Sequence, residues 1–236
     1  MYAVGTAAVV TRPSYFSFVQ EAVATAGDLY SYAAAQSGME LHGRGTAYVV
    51  DAPGGRWVIR RYYRGGQVAR LVKDRYLRVG EPRPMRELRV SAEARARGVA
   101  TPEVVAAVVY GSGPLYRADL ATKFVPDSVD LVGLTFEMKD ANVTVAWRAT
   151  GRLIRQLAKA GIQHADLNMK NVLITESRTF PRAWVLDLDR AYVCAGEADA
   201  ERMFRRLQRS IEKWERKVGR RVDPALRIEL ERGLGV

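Results

Sequence analysis

The chain has 236 residues, 48% hydrophobic and 27% charged, a composition that suits one or two folded domains and excludes a disordered chain. No apolar run approaches the roughly 20 residues of a membrane span, and the apolar start, residues 1–10, is short, lacks a basic lead and is not expected to be a signal peptide. A net charge of +11 and a pI near 10.0 point to a polyanionic partner: nucleic acid, an anionic membrane surface or a highly phosphorylated substrate. The single cysteine, Cys194, excludes an internal disulfide framework and fits a reducing compartment.

In chain order, Ser14 to Gly38 is expected to form one amphipathic helix, capped by Ser14 and stopped by Gly38. Residues 41–50 read as a strand that turns at Asp51–Gly55 and returns through Trp57–Arg60, a β-hairpin by its turn chemistry. Gly43, Arg44 and Gly45 stand where a glycine-rich loop would cover phosphates with backbone N–H groups; a plain turn is the other reading. A phosphate-binding cation is then expected on the returning strand and a glutamate on the next helix. Arg60 supplies the first, and Glu87, in the first turn of a helix over residues 84–97, supplies the second; Glu93 is the alternative partner. Arg61 competes with Arg60, because strand alternation sends one inward and one outward. Replacing Arg61 is expected to be mild beside replacing Arg60.

Tyr62 to Tyr76 forms a basic, aromatic insert, and residues 56–97 carry 13 Lys/Arg against 4 Asp/Glu. Arg64, Arg70, Lys73 and Arg75, with Tyr62, Tyr63 and Tyr76 among them, are therefore expected to meet the polyanionic partner. Two strands follow, 104–110 and 115–125. Pro126 breaks the pattern, so residues 123–127 form a linker and the chain divides into lobes 1–125 and 126–236. A helix over 143–160, closed by Gly161, leads into the most informative stretch, His164-Ala165-Asp166-Leu167-Asn168-Met169-Lys170-Asn171.

This stretch has the H-x-D-L-x-x-x-N spacing of a kinase catalytic loop. Residues 172–174 and 183–186 read as a hairpin that brings Asn171 beside Asp187. In phosphoryl transfer Asp166 would accept the proton of the attacking hydroxyl, while Asn171 and Asp187 would hold the Mg²⁺ that neutralises phosphate charge. His164 is expected to brace the loop. Asp189 would assist the metal or the acceptor, or would only cap the next turn. No A-P-E element follows and there is no room for a long activation loop, which favours a small-molecule acceptor over a protein. A helix over 197–218 ends the pattern, apolar at Phe204, Leu207, Ile211, Trp214 and Val218, and basic at Arg202, Arg205, Arg206, Arg209, Lys213, Arg216 and Lys217. Its apolar stripe is expected to be taken up by packing. A short helix follows Pro224.

Several motifs together resemble the lipopolysaccharide kinases, specifically the Kdo kinases, over about residues 40–192: His42-Gly43-Arg44-Gly45, Ile59-Arg60-Arg61-Tyr62-Tyr63-Arg64-Gly65-Gly66, Lys73-Asp74-Arg75-Tyr76, His164 to Asn168, and Leu186 to Arg190. Ala165 stands where Gly or Arg is more usual, and Leu188 where Phe is; neither alters the polar groups. The resemblance implies an α+β, two-lobed protein-kinase-like fold, with an antiparallel sheet in the N-lobe and a mainly helical C-lobe. It implies transfer of the γ-phosphate of ATP, with Mg²⁺, to a hydroxyl of Kdo on a lipid A precursor. The enzyme would be cytoplasmic and peripheral on the cytoplasmic face of the anionic inner membrane, with no nucleic acid partner. A heptose or other small-molecule sugar kinase of the same fold is the alternative, and a non-catalytic basic adaptor on membrane or nucleic acid is the reading from a different class.

Overall fold

The structure is a computed structural model that describes residues 1–42, 45–63, 74–111, 113–138, 142–175 and 181–235. It divides into two compact units. The first comprises Met1–Arg89 and Glu103–Phe124, the second Val90–Pro102 and Val125–Val236. The crossing after Phe124 falls within the expected linker, residues 123–127, whereas residues 90–102 go with the second unit rather than with a lobe 1–125.

The first unit is built on an antiparallel sheet in the order β1(Tyr2–Val4), β2(Ala7–Thr11), β7(Val104–Tyr110), β8(Leu115–Lys123), β5(Gly55–Arg61), β4(Thr46–Ala52), β3(Met39–His42), with β6(Tyr76–Leu77) also paired to β8. The apolar start thus forms the β1–β2 hairpin, with Val9 buried. Two helices, α1(Pro13–Ala26) and α2(Leu29–Gln36), stand where one was expected from Ser14 to Gly38. Gly27, left-handed at φ 80°, ends α1, and the Asp28 side chain caps α2 by accepting from Ser31 N at 2.7 Å. Local capping chemistry here overrides the continuous apolar pattern. Pro13, at the first helical position, takes the starting role given to Ser14.

Alternation along β5 and β7 sorts the apolar side chains into two cores. Trp57, Ile59, Ala106, Val108 and Tyr110 pack with Val19, Ala22, Leu29 and Ala33 of α1 and α2. Tyr62, Ala107 and Val109 pack with Tyr76, Tyr116, Ala118 and Leu120, joined by Met85 and Leu88 of α3(Arg83–Ala96). Tyr62 and Tyr76, 3% and 7% exposed, are therefore core residues and not part of a partner-binding surface.

The second unit is mainly helical. It holds α4(Val143–Lys159), α5(Ala200–Val218) and α6(Pro224–Leu234), a hairpin of β11(Val172–Thr175) and β12(Arg182–Val185) extended by β9(Ser128–Asp130), and a pair of β10(Ile162–His164) with β13(Ala191–Val193). Its core gathers Trp147, Leu153, Ile154 and Leu157 of α4, Leu167 and Met169 of the H-x-D stretch, and Met203, Leu207 and Ile211 of α5. The start of α5 is set by Asp199, which accepts from Arg202 N at 2.8 Å. Among the described residues no helix is long and apolar enough to cross a membrane.

Candidate active site

Two constellations of polar side chains stand out, one in each unit. In the first unit the neighbours Arg60 and Arg61 leave β5 on opposite faces. Arg60 Nη2 donates to both oxygens of Glu87, at 2.7 and 2.6 Å, and the Tyr62 hydroxyl donates to the same carboxylate. The Arg60 guanidinium also lies over the Tyr62 ring, 4.7 Å from its centroid. Glu87 is 3% exposed, so this arrangement holds a buried carboxylate against a cation that keeps part of its surface open. Glu93, the alternative partner, pairs instead with Arg97 at 2.6 Å.

Arg61 is buried on the other face. Its Nε donates to Asp119 Oδ1 at 3.0 Å and its Nη2 lies 2.5 Å from Asp28 Oδ1, under the ring of Tyr30. Asp119 also accepts from Tyr30 N at 3.0 Å and from the Tyr110 hydroxyl at 2.9 Å. Burial pushes the Asp119 carboxyl up, in spite of Arg61 and the Tyr30 N–H. For Asp28 burial is outweighed by the Ser31 N–H and by Arg61, so its carboxyl is held below the ordinary value of 3.8. Burial is likewise outweighed at Arg61, held above its ordinary value by Asp119 and Asp28. Arg61 is thus a buried structural cation, not a mildly replaceable alternative to Arg60.

Gly45, immediately before β4, has the Tyr63 ring directly over it, and a Cβ there would run into that ring. The Tyr30 hydroxyl donates to the carbonyl of the next residue, Thr46, at 3.1 Å. Gly43 and Arg44 lie outside the described residues, as do Arg64, Arg70 and Lys73; Arg75 is exposed.

In the second unit the H-x-D stretch is braced from several sides. His164 Nδ1 accepts from Asp166 N at 3.2 Å, which leaves Nε2 as the protonated nitrogen, 3.2 Å from Leu186 O. The Asp166 carbonyl accepts from Asn168 Nδ2 at 2.9 Å and from Asn171 Nδ2 at 3.3 Å. Met169 N donates to Ser210 Oγ of α5 at 3.2 Å. The Asp166 carboxylate takes a hydrogen bond from Arg206 Nη2, also on α5. Lys170 pairs with Asp130 at 2.9 Å.

The hairpin sets Val172 opposite Val185, and Leu186 N donates to Asn171 O at 2.8 Å, so Asn171 and the residue after Leu186 share one end of the hairpin. That residue, Asp187, is exposed and left-handed at φ 58°, a conformation a non-glycine residue adopts at some cost and one that clusters at functional sites. Asp189, in the following helical turn, is 6% exposed. No group of three or more His, Cys, Asp or Glu forms a preformed metal cage among the described residues. Asn171 and Asp187 are nonetheless hard oxygen donors of the kind Mg²⁺ takes together with phosphates and water.

The model of the lipopolysaccharide kinase (Kdo/WaaP) family matches residues 30–223. The chain belongs to that family. It is 35% identical to the 3-deoxy-D-manno-octulosonic acid kinase of Vibrio cholerae serotype O1 over 173 residues, 72% of each chain. It is also 35% identical over 176 residues to the enzyme of that name from Xanthomonas euvesicatoria pv. vesicatoria, covering 73% of this chain and 68% of the relative. The solved structure of WaaP in complex with acyl carrier protein superposes with a TM-score of 0.61 at 16% identity, covering 97% of this chain and 88% of that one, a likeness of fold. The chain is accordingly an ATP-dependent kinase of lipopolysaccharide core biosynthesis, a phosphotransferase acting on a hydroxyl group and not a non-catalytic adaptor. Within this Kdo/WaaP kinase, Arg206 and the partners of Arg61, Asp28 and Asp119, are polar groups whose roles motif spacing did not single out.

Proposed function

We propose that this kinase transfers the γ-phosphate of ATP to a hydroxyl of Kdo on a lipid A precursor. The observation that carries the acceptor is the 35% identity, over about 72% of the chain, to enzymes that phosphorylate 3-deoxy-D-manno-octulosonic acid. Asp166 accepts the hydroxyl proton as the acceptor oxygen forms its bond to Pγ; the bond from Pγ to the bridging oxygen breaks, and ADP leaves with that electron pair. The brace around Asp166 supports this role, since a base must be held in place and His164, Asn168 and Asn171 hold it through its main chain. Arg60 holds phosphate oxygens, oriented by Glu87, and the segment 43–45 covers the phosphates.

Asn171 and the exposed Asp187 would hold Mg²⁺, which when bound neutralises charge on the phosphates. With one amide hydrogen committed to the Asp166 carbonyl, the Asn171 oxygen is the acceptor left for a cation. Asp189, being buried, is given no contact with it. The membrane-bound acceptor implies a peripheral station on the cytoplasmic face of the inner membrane, with Arg64, Arg70, Lys73 and Arg75 as its contacts. Each juxtamembrane cation contributes about 1 kcal/mol near an anionic surface.

A positioned base contributes about 10² to 10⁴ in rate. Asp166→Asn should lower kcat on a Kdo-lipid A acceptor by that factor and leave ATP binding nearly unchanged. Near-normal turnover in the variant would remove Asp166 as the base, and wild-type protein inert on Kdo-lipid A but active on heptosylated core would move the acceptor to heptose.

A further inference from the structure

Helix α5 buries Met203, Leu207, Ile211 and Glu215 on one side. At about 100° per residue, Arg202, Arg206, Arg209, Lys213 and Lys217 fall within an arc of roughly 80°, a continuous line of cations beside the buried face. Off that line, Arg205 has its own partner, Glu201, at 3.0 Å. On the line, no carboxylate among the described residues pairs with Arg202, Arg209 or Lys213, whereas Arg206 reaches the carboxylate of Asp166. Ser210, next to this line, receives Met169 N and so fixes the helix against the H-x-D loop.

The Arg206 contact is hard to explain as a brace. His164, Asn168 and Asn171 already hold the main chain of Asp166. A guanidinium on a general base, moreover, takes up one of its two carboxylate oxygens. Arg206 keeps 42% of its side chain exposed, and its planar fork binds a second carboxylate as readily as the first.

We propose that the cation line of α5 is the binding site for the anionic acceptor, and that Arg206 exchanges the carboxylate of Asp166 for the carboxylate of the acceptor sugar. The ligand class rests on the Kdo reading above. Kdo is a sugar acid, so its carboxylate arrives on the same ring system as the hydroxyl to be phosphorylated. Taking over Arg206 frees the Asp166 oxygen that the guanidinium held. A neutral sugar has nothing with which to draw the guanidinium away, so the exchange favours an acid over a neutral acceptor. Arg202, Arg209 and Lys213 then line the route for the remaining negative charge of the glycolipid.

The test is steady-state kinetics with Kdo-lipid A and with its carboxyl-reduced analogue. Wild-type enzyme should prefer the acid by about tenfold or more in kcat/KM, the worth of one charge-assisted hydrogen bond. Arg206→Gln should raise the acceptor KM by about tenfold and abolish that preference, with the KM for ATP within about twofold of wild type, because only the acceptor contact is lost. Arg206→Lys should restore part of the preference. Arg209→Gln with Lys213→Gln should raise the acceptor KM and flatten its salt dependence while the preference persists. Arg205→Gln should behave as wild type. Equal use of acid and reduced acceptor by the wild type overturns the exchange without recourse to any variant. So does an Arg206→Gln enzyme that keeps both the KM and the preference. Wild-type protein inert on both acceptors overturns the Kdo reading itself, a distinguishable result.

Discussion

Arg60 and Arg61 are adjacent, identical in chemistry and opposite in situation. Arg60 keeps 27% of its side chain exposed and shares its carboxylate partner with a tyrosine hydroxyl. Arg61 keeps 11%, between two aspartates 7% and 0% exposed. The difference shows that a guanidinium's role is set by what its partner can lose. Glu87 can hand the half-open Arg60 to a phosphate and still hold Tyr62, whereas the buried Arg61, in turning away, would strip a guanidinium from two buried aspartates at once.

The largest expected effect follows from that burial. Removing one member of a buried ion pair costs about 3–5 kcal/mol, so Arg61→Ala should lower unfolding stability by that much in denaturant titration. Arg60→Ala should cost only about 1–2 kcal/mol of stability, yet lower kcat/KM for ATP by about 10² to 10³, as loss of a preorganised electrostatic contact does. Arg60→Lys should fall between, since an ammonium copies the planar fork poorly. A reversed order, with Arg60→Ala unfolding the chain and Arg61→Ala stable but inactive, would exchange the two roles.

The smallest effect concerns acid. Because the Asp28 carboxyl is held below its ordinary value of 3.8, its contribution is complete above that pH and is lost as pH falls through the folded-state value. The melting temperature of Asp28→Asn should therefore lie below that of the wild type near pH 6, and the gap should close on acidification below about 3.8, the unfolded value. A gap that persists unchanged into strong acid would mean that the Asp28 charge contributes nothing to α2 docking.

What was legible in the chain was local. The H-x-D spacing, the hairpin that aligns Asn171 with Asp187, and the Arg60–Glu87 pairing each follow from one strand or one loop with its neighbour. Arg206 was visible only as one of seven cations on a helix, and nothing in its own surroundings tells it from Arg205. Its partner lies 40 residues away. Asp119 lies 58 residues from Arg61, and Tyr62 and Tyr76 look like partner-binding groups until the sheet shows which face they occupy. Spacing within one element reports which way a side chain faces; it does not report what another element brings to meet it.

The arginine doublet also bears on how the strand is threaded during folding. Were β5 to slip by one residue, each position would inherit its neighbour's side chain. Sliding one way gives the Glu87 site Arg61 and leaves Tyr62 between the aspartates; sliding the other way gives the aspartates Arg60 and leaves Ile59 for Glu87. In both cases one of the two acidic sites still finds a guanidinium, so the charges alone proofread the threading only by half. The stricter check comes from Trp57 and Ile59, each 0% exposed, which in a slipped strand would trade places with polar or smaller neighbours. The aromatic and aliphatic residues of β5 are thus what keeps two interchangeable cations from being interchanged.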